Sequence, residues 1–363
     1  MKLQVTQENL NKALGTVARV ANARGTLPVL ANVLIKTVNN RLSIAATNLD
    51  IAITQYIGAK VTEDGSITVP ARLMQDFVSS LPGGAIDLSL DDFKLHISTE
   101  QYQSVINGVS AEEFPVMPEI TDGHSWTIPG SLLKKSLQQV VLAASTDEAR
   151  PVLTGVFMHT FEGKLYLAAT DSYRLAEKMV MPHTEEISML VPVSAMQDLL
   201  RIVNDTEDDV HVTSDDQQVL FRVGDIELVA RLIEGKYPPY RNLIPTAFAT
   251  SAVLKRSDLL NVTKVSSLFA RESAGSITIA VDELKQQISI RSIASQLGEN
   301  NALAAAKIDG SGEITLNSRY LLDALHVISG DEVGFSFNGK LEPIVIKDAL
   351  ADDYVHIIMP LKS

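Results

Sequence analysis

The chain has 363 residues, 45% of them hydrophobic and 5% aromatic, with a formal net charge of −13 and no cysteine. This length and apolar fraction support several cores of ordinary domain size. The absence of cysteine excludes a disulfide framework and any thiolate metal site. No charged-then-apolar leader and no apolar run of membrane-spanning length is read, so a cytoplasmic protein is expected, and its average charge repels nucleic acid.

In chain order, apolar Leu10, Leu14, Val17 and Ala18 at helical spacing predict a helix over 7–22, with Thr6 as N-cap. Two alternating strands, Val29 to Val38 and Leu42 to Ile57, follow. A Val-Pro step then opens a helix over 71–80, with Pro70 at or near its first position. Leu81-Pro82-Gly83-Gly84 ends it, and strands are expected over 86–90, 93–98 and 103–109. The same order returns: helix 130–144, strands Leu153 to Thr160 and Lys164 to Val180, helix 193–203, and further strands to Leu232. It returns again with helices 256–270 and 318–328. Glu119 to Ser125 and the proline-rich Tyr237 to Thr250 read as linkers.

The repetition is in the residues themselves. Ile67-Thr68-Val69-Pro70-Ala71-Arg72-Leu73-Met74-Gln75-Asp76 reappears as Met189-Leu190-Val191-Pro192-Val193-Ser194-Ala195-Met196-Gln197-Asp198, and more faintly as Ile314 to Leu325. Arg41-Leu42-Ser43-Ile44-Ala45-Ala46-Thr47 pairs with Lys164-Leu165-Tyr166-Leu167-Ala168-Ala169-Thr170, an offset of 123 residues. A period of this size is a domain rather than a solenoid unit. Three α+β domains are expected, at 1–120, 121–245 and 246–363, each with two helices on antiparallel sheets.

Charge is divided by secondary structure. The helical segments carry Lys12, Arg19, Arg72, Lys134, Lys135, Arg201, Lys255, Arg256, Lys264 and Arg319, against Glu8, Asp76, Asp198, Asp258 and Asp323. They are net basic on an otherwise acidic chain. If the helices share a side, that side suits sequence-independent contact with duplex phosphates. No aromatic residues interleave with these positions, so stacking on single strands is not supported.

No catalytic constellation is found. Glycine-rich phosphate loops and the Gly-x-Ser-x-Gly elbow are absent. His96, His124, His159, His183, His211, His326 and His356 are scattered, with none paired at i, i+4. Asp171 and Arg174 lack an accompanying nucleophile or base. The acidic run Asp205 to Asp209 reads as a solvated turn. No catalytic residue, metal or cofactor is expected.

At Ala169-Thr170-Asp171-Ser172-Tyr173-Arg174-Leu175-Ala176 the chain resembles the Ala-Thr-Asp-[Gly/Ser]-[His/Tyr]-Arg-Leu-Ala segment of the bacterial DNA polymerase III beta subunit, or sliding clamp, family. Thr26-Leu27-Pro28-Val29-Leu30, Tyr237-Pro238-Pro239-Tyr240 and Ile358-Met359-Pro360-Leu361 resemble further family segments in the same order. The resemblance implies three copies of one domain forming half of a six-domain ring, closed by a head-to-tail homodimer. Helices would line a hole for duplex DNA. It also implies a partner pocket that takes Gln-Leu-x-Leu-Phe-type motifs of the replicative polymerase, clamp loader and repair proteins.

By position, that pocket would comprise Leu153, Thr170, Ser172, Tyr173, Arg174, Leu175, Pro238, Leu243, Asn317, Tyr320, Pro343, Ile357, Ile358, Met359, Pro360 and Leu361. Ser172 stands where glycine is common, and Asn242 where some members carry arginine. The resemblance places the dimer seam at Ser104 and Ile106 with Leu268 and Phe269, and a DNA-contacting residue at Arg24. The function implied is a non-enzymatic processivity clamp in DNA replication. The alternatives are a monomeric repeat scaffold that binds peptides without encircling DNA, and a DNA-modifying enzyme with a basic face.

Overall fold

Each helix follows a strand with at most one residue between, an arrangement that periodicity alone does not reveal. The computed structural model describes residues 1–21, 27–120, 123–204, 206–294 and 298–361. Its helices are α1 Gln7–Val17, α2 Ala71–Ser80, α3 Gly130–Val140, α4 Val193–Asn204, α5 Arg256–Phe269 and α6 Ser318–Val327. The strands leading into them are Lys2–Thr6, Ser66–Pro70, His124–Ile128, Ser188–Pro192, Thr250–Lys255 and Gly312–Asn317. Thr6 caps α1 as expected, its hydroxyl accepting from the Asn9 N–H at 3.4 Å. Asn317 caps α6 through the Arg319 N–H at 2.9 Å. Pro70, expected at or near the first position of α2, is its N-cap.

The apolar spacing places the buried faces correctly: Leu10, Ala13, Leu14 and Val17 on α1, and Ala71, Met74 and Val78 on α2. Two helices stop earlier than expected. Helix α1 closes at Val17, where the Ala18 N–H bonds to Leu14 O at 2.9 Å and the chain turns away. Helix α3 ends at Val140 and tightens into a 3-10 turn over Val141–Ala143.

The two long strands of the sequence reading are hairpins. Leu42 to Ile57 breaks into Arg41–Thr47 and Ile51–Gly58, and Lys164 to Val180 into Lys164–Thr170 and Arg174–Pro182. Asn48 and Asp171 make the breaks, because each side-chain carboxyl or amide oxygen accepts backbone N–H groups two and three residues on, at 2.8–3.0 Å. The segments starting at Val29 and Leu153 open as 3-10 turns, Pro28–Ala31 and Pro151–Leu153, because each proline presets the turn.

The chain divides into two compact units, 1–133 with 198–232, and 134–197 with 233–363. The first holds an eight-stranded antiparallel sheet in which Ile51–Gly58 pairs with Ile226–Arg231, so strands from two successive repeats share one sheet. It also holds a five-stranded sheet with Lys60–Glu63 at one edge and Gln103–Asn107 at the other. The second unit holds a nine-stranded sheet joined the same way, with Arg174–Pro182 paired to Tyr354–Ile358. Its four-stranded sheet ends on Gly298–Ala305.

The second unit buries polar groups that bind its elements together. The Tyr354 hydroxyl donates to Gln139 O at 3.2 Å and lies 3.0 Å from His356 Nδ1, while Gln139 Nε2 donates to Val327 O at 3.0 Å. Lys178, 4% exposed, pairs with Asp353. Burial, reinforced by the positive charge of Arg174, lowers the His356 pKa to about 3. Burial and then Arg241 lower that of His159 to about 4. Both imidazoles are therefore neutral when folded, and the unfolded chain takes up their protons first as pH falls below the usual 6.5. Stability should decline from pH 6.5 downward, above the carboxylate range, by about 1.4 kcal/mol per unit for each histidine. Urea midpoints that stay level between pH 6.5 and 5 would refute this.

Candidate functional site

The segment that carries the family resemblance is the hairpin turn between Lys164–Thr170 and Arg174–Pro182. Asp171 builds it. Its Oδ1 accepts from the N–H groups of Tyr173 and Arg174, both at 2.9 Å, and its Oδ2 from Arg174 Nε at 3.1 Å. Thr170 Oγ1 donates to Arg174 O at 2.6 Å and accepts the Ser172 N–H at 3.1 Å. Ser172 has φ 76°, the left-handed region that glycine adopts without strain and serine rarely adopts. Asp171 and Arg174 thus spend their polar atoms on structure. Arg174 reaches further, with Nη1 2.6 Å from Asp323 Oδ2 on α6 and its guanidinium 4.5 Å from the centre of the Tyr320 ring.

Behind this turn lies a groove of about 500 Å³ lined by Leu153, Asp171, Tyr173, Arg174, Asn317 and Tyr320, together with Ala144 to Asp147, Arg150 and Arg319. Leu153, Tyr173, Arg174, Asn317 and Tyr320 were expected at the pocket, and they come together although they lie far apart in the chain. The carboxyl-terminal segment runs beside them: the Met359 N–H bonds to Tyr173 O and the Leu361 N–H to Thr315 O, both at 2.8 Å. Met359, Pro360 and Leu361 are half-buried, as is Pro343, whereas Pro238 is exposed and Leu243 is 53% exposed. Tyr173 is 63% exposed.

Three expected lining residues lie inward. Leu175, Ile357 and Ile358 are at most 3% exposed, and the first two pack in one cluster with Leu153, Leu190, Tyr237 and Val345. Strand alternation turns Leu175 toward this core while Arg174 faces the groove. Arg150 was missed. Its Nη1 donates to Ser172 Oγ at 3.2 Å, and only tertiary proximity brings it there.

The basic residues are less uniform than their helical positions suggested. Arg19 and Lys255 fall just beyond the helix ends. Lys12, Arg19 and Arg201 border a cavity of about 430 Å³, but Asp198, Asp208 and Asp225 line it too. Arg201 lies 2.5 Å from Asp198, whose own pKa burial raises. Lys135, Lys255 and Lys264 are exposed, Lys134 is half-buried, and Arg72 projects freely, its Nε 4.0 Å from Asp76. Arg256 is structural: Nε donates to Gly330 O at 3.0 Å and Nη1 to Leu325 O at 3.2 Å, satisfying carbonyls at the end of α6. Arg319 lines the groove. Arg24 lies outside the described residues.

At the expected dimer seam, Ile106 is 5% exposed and faces its own core, while Val105 beside it is 51% exposed and Ser104 is intermediate. The apolar side chain that this edge strand presents to solvent is therefore Val105 rather than Ile106. Leu268 is 49% exposed at the end of α5 and Phe269 half-buried, and Leu303 on the edge strand Gly298–Ala305 is 52% exposed. Among the described residues no group of three or more His, Cys, Asp or Glu side chains is placed to hold a metal, and no helix is long and apolar enough to cross a membrane.

Residues 1–118 match the DNA polymerase III beta subunit N-terminal domain family, residues 127–239 the central domain and residues 241–362 the C-terminal domain. The chain is 31% identical to the beta sliding clamp of Synechococcus elongatus, over 100% of this chain and 99% of that one. It is 29% identical to the beta sliding clamp of Bacillus subtilis, over the whole of both. The crystal structure of the Bacillus subtilis DNA polymerase sliding clamp superposes with a TM-score of 0.95 at 28% identity, covering 100% of this chain and 99% of that one. A Pseudomonas aeruginosa sliding clamp bound to griselimycin gives 0.94 at 25% identity, with both chains fully covered. Three consecutive domain matches, full-length relatives and the shared fold establish that this chain belongs to the DNA polymerase III beta subunit family.

Proposed function

We propose that this protein is a sliding clamp. As a homodimer it closes a six-domain ring around duplex DNA and tethers the replicative polymerase and other proteins for processive synthesis, without catalysing a reaction itself. Its three domains are the repeats at 1–120, 121–245 and 246–363. The observation that carries this reading is the full-length match of all three domains, in order, to sliding clamps. A monomeric scaffold is not favoured, because both terminal sheets end on strands that offer exposed apolar side chains, Val105 and Leu303. Pairing these edges across subunits would satisfy their backbone groups and extend the sheets.

The exposed basic side chains, among them Lys135, Lys255 and Lys264, suit sequence-independent phosphate contact, and topology rather than grip would hold the ring on DNA. The groove around Tyr173, Tyr320 and Met359 suits a short linear motif with leucine and phenylalanine anchors, which methionine and proline walls accommodate. The site of action would be the cytoplasm, where the chromosome is replicated.

The test is topological. Protein loaded by a clamp loader onto nicked circular DNA should stay bound through gel filtration and be lost once the circle is linearised. Val105→Asp with Leu303→Asp should run as a monomer and not be retained. Equal retention on circles and on open-ended linear DNA would argue for ordinary binding and against encirclement.

A further inference from the structure

The exposed residues Pro238 and Leu243, which the family resemblance assigns to the pocket although they do not line the 500 Å³ groove, belong to a linker held from behind, where Tyr237 and Tyr240 pack in one cluster with the groove residue Leu153. Its 3-10 turn, Tyr240–Leu243, is short, and its internal bonds are few: the Tyr240 N–H to Pro238 O at 2.7 Å, the Asn242 N–H to Pro239 O at 3.3 Å and the Ile244 N–H to Arg241 O at 3.1 Å. Buried side chains provide the rest. Tyr237 and Tyr240 are 6% and 3% exposed. The Tyr240 hydroxyl donates to Glu177 Oε2 and accepts from His159 Nε2 at 2.7 Å. Arg241 pairs with the same Glu177 oxygen at 2.9 Å, and its guanidinium lies 4.0 Å from the centre of Phe161 and 4.2 Å from that of Tyr166. His159 is itself stacked on Phe157 at 4.5 Å, and Phe157 on Tyr237 at 4.9 Å.

This anchor is more than a linker of this fold needs. The repeat offset of 123 residues that aligns the strands also aligns Phe114-Pro115 with Tyr237-Pro238. At the corresponding positions of the first repeat, Lys36 replaces His159, Thr54 replaces Glu177, Met117 replaces Tyr240 and Pro118 replaces Arg241. The linker after the first repeat therefore has an equivalent of the Tyr237 aromatic but none of the hydrogen-bonded network. A partly buried carboxylate shared by a tyrosine and an arginine costs desolvation, and a linker that only had to connect two repeats would be served as well by apolar packing. The network has a second consequence: it fixes the Tyr240 hydroxyl between Glu177 and His159 and the Arg241 guanidinium against Phe161 and Tyr166, although Arg241 Nε and Nη2 make no hydrogen bond.

We propose that Glu177, Tyr240, His159 and Arg241 form a positioning device that holds the Pro238–Leu243 turn as a preorganised wall of the peptide groove. The inference rests on the reading of that groove as the motif-binding site. None of the four need touch the peptide. They act through Leu243, whose side chain is half in solvent on the outer face of the turn. A wall fixed in advance spares the bound peptide the ordering of that turn, so loosening the anchor weakens binding without removing any direct contact.

The test is a double-mutant cycle, read by fluorescence polarisation with a labelled Gln-Leu-x-Leu-Phe-type peptide and the full-length dimer. Tyr240→Phe removes one hydroxyl and should weaken binding about fivefold while dimer mass stays unchanged. Leu243→Ala should weaken wild type more than it weakens the Tyr240→Phe protein, because the hydroxyl works only through that leucine. Amide exchange should accelerate within 240–244 and not in the strands Lys164–Thr170 and Arg174–Pro182. Strictly additive effects of the two substitutions would overturn the proposal, as would unchanged affinity in Tyr240→Phe. If Tyr240→Phe fails to fold, Glu177→Gln, which keeps shape and an acceptor oxygen, takes its place in the same cycle. A folded wild type that binds no peptide would instead sink the groove reading, and the positioning role with it.

Discussion

Replacing Arg174 with alanine should destabilise the second unit by about 3 kcal/mol, the cost of stripping partners from partly buried charges. The Arg174 side chain is 13% exposed and holds Asp171 and Asp323, whose side chains are 16% and 34% exposed. Its loss leaves Asp171 without a counter-ion in the turn that carries Tyr173. It also leaves Asp323 unpaired on α6 and takes the cation from the Tyr320 ring. The more solvated Asp323 keeps the effect below that of a fully dry pair. Arg174→Lys should recover only part of it, because an ammonium cannot serve two carboxylates in the planar fork that guanidinium offers. Urea unfolding is the measurement. A loss below about 1 kcal/mol would mean that the pairs behave as surface pairs do and that the turn stands without them.

Truncating Leu243 and Met359 together to alanine should weaken Gln-Leu-x-Leu-Phe-type peptide binding by about thirtyfold or more, with dimer mass and melting temperature close to wild type. Leu243 is 53% exposed and Met359 half-buried, so neither anchors a core. The choice of residues matters. Leu175 looks like an equal candidate by position, yet it is 3% exposed and packed with Leu153, Tyr237 and Ile357. Leu175→Ala would open a cavity costing about 2–5 kcal/mol, and lost binding would then report only a damaged fold. Peptide affinity unchanged in the Leu243→Ala, Met359→Ala protein would remove both side chains from the binding surface. Affinity lost together with the dimer would show that they support the fold.

Much of the architecture was open to reading along the chain. Helical periodicity found α1, because Leu10, Leu14 and Val17 recur at the spacing that an α-helix presents on one face; the Val-Pro step found α2, and the repeated order the other four helices among the described residues. Periodicity overran α1 by several residues, since Val20 continues the apolar pattern after the backbone has turned; Val20 is 5% exposed but lies in that turn. The hairpins at Asn48 and Asp171 were passed over because alternation continues through them. Only the side-chain capacity of Asn and Asp to capture two backbone N–H groups marks the break. At the site, the motif around Asp171 was visible while the direction of each side chain was not. One step along a strand separates Arg174, in the groove, from Leu175, in the core. The same step separates exposed Val105 from buried Ile106.

By itself the sequence determined the threefold repeat, the six helices, the acidic chain with basic helical positions, and the family to which its motifs belong. Each of these depends on residues near one another in the chain, or on order along it, so local spacing suffices. Tertiary structure alone decided that strands from successive repeats share a sheet and that Arg256 donates to the Leu325 carbonyl of α6. It also decided that Arg174 reaches an aspartate 149 residues away and that Tyr240 is locked to Glu177 63 residues away. Such contacts form where apolar burial brings distant segments together and leaves their polar groups to find partners out of water. No periodicity in the chain encodes which partner each one finds.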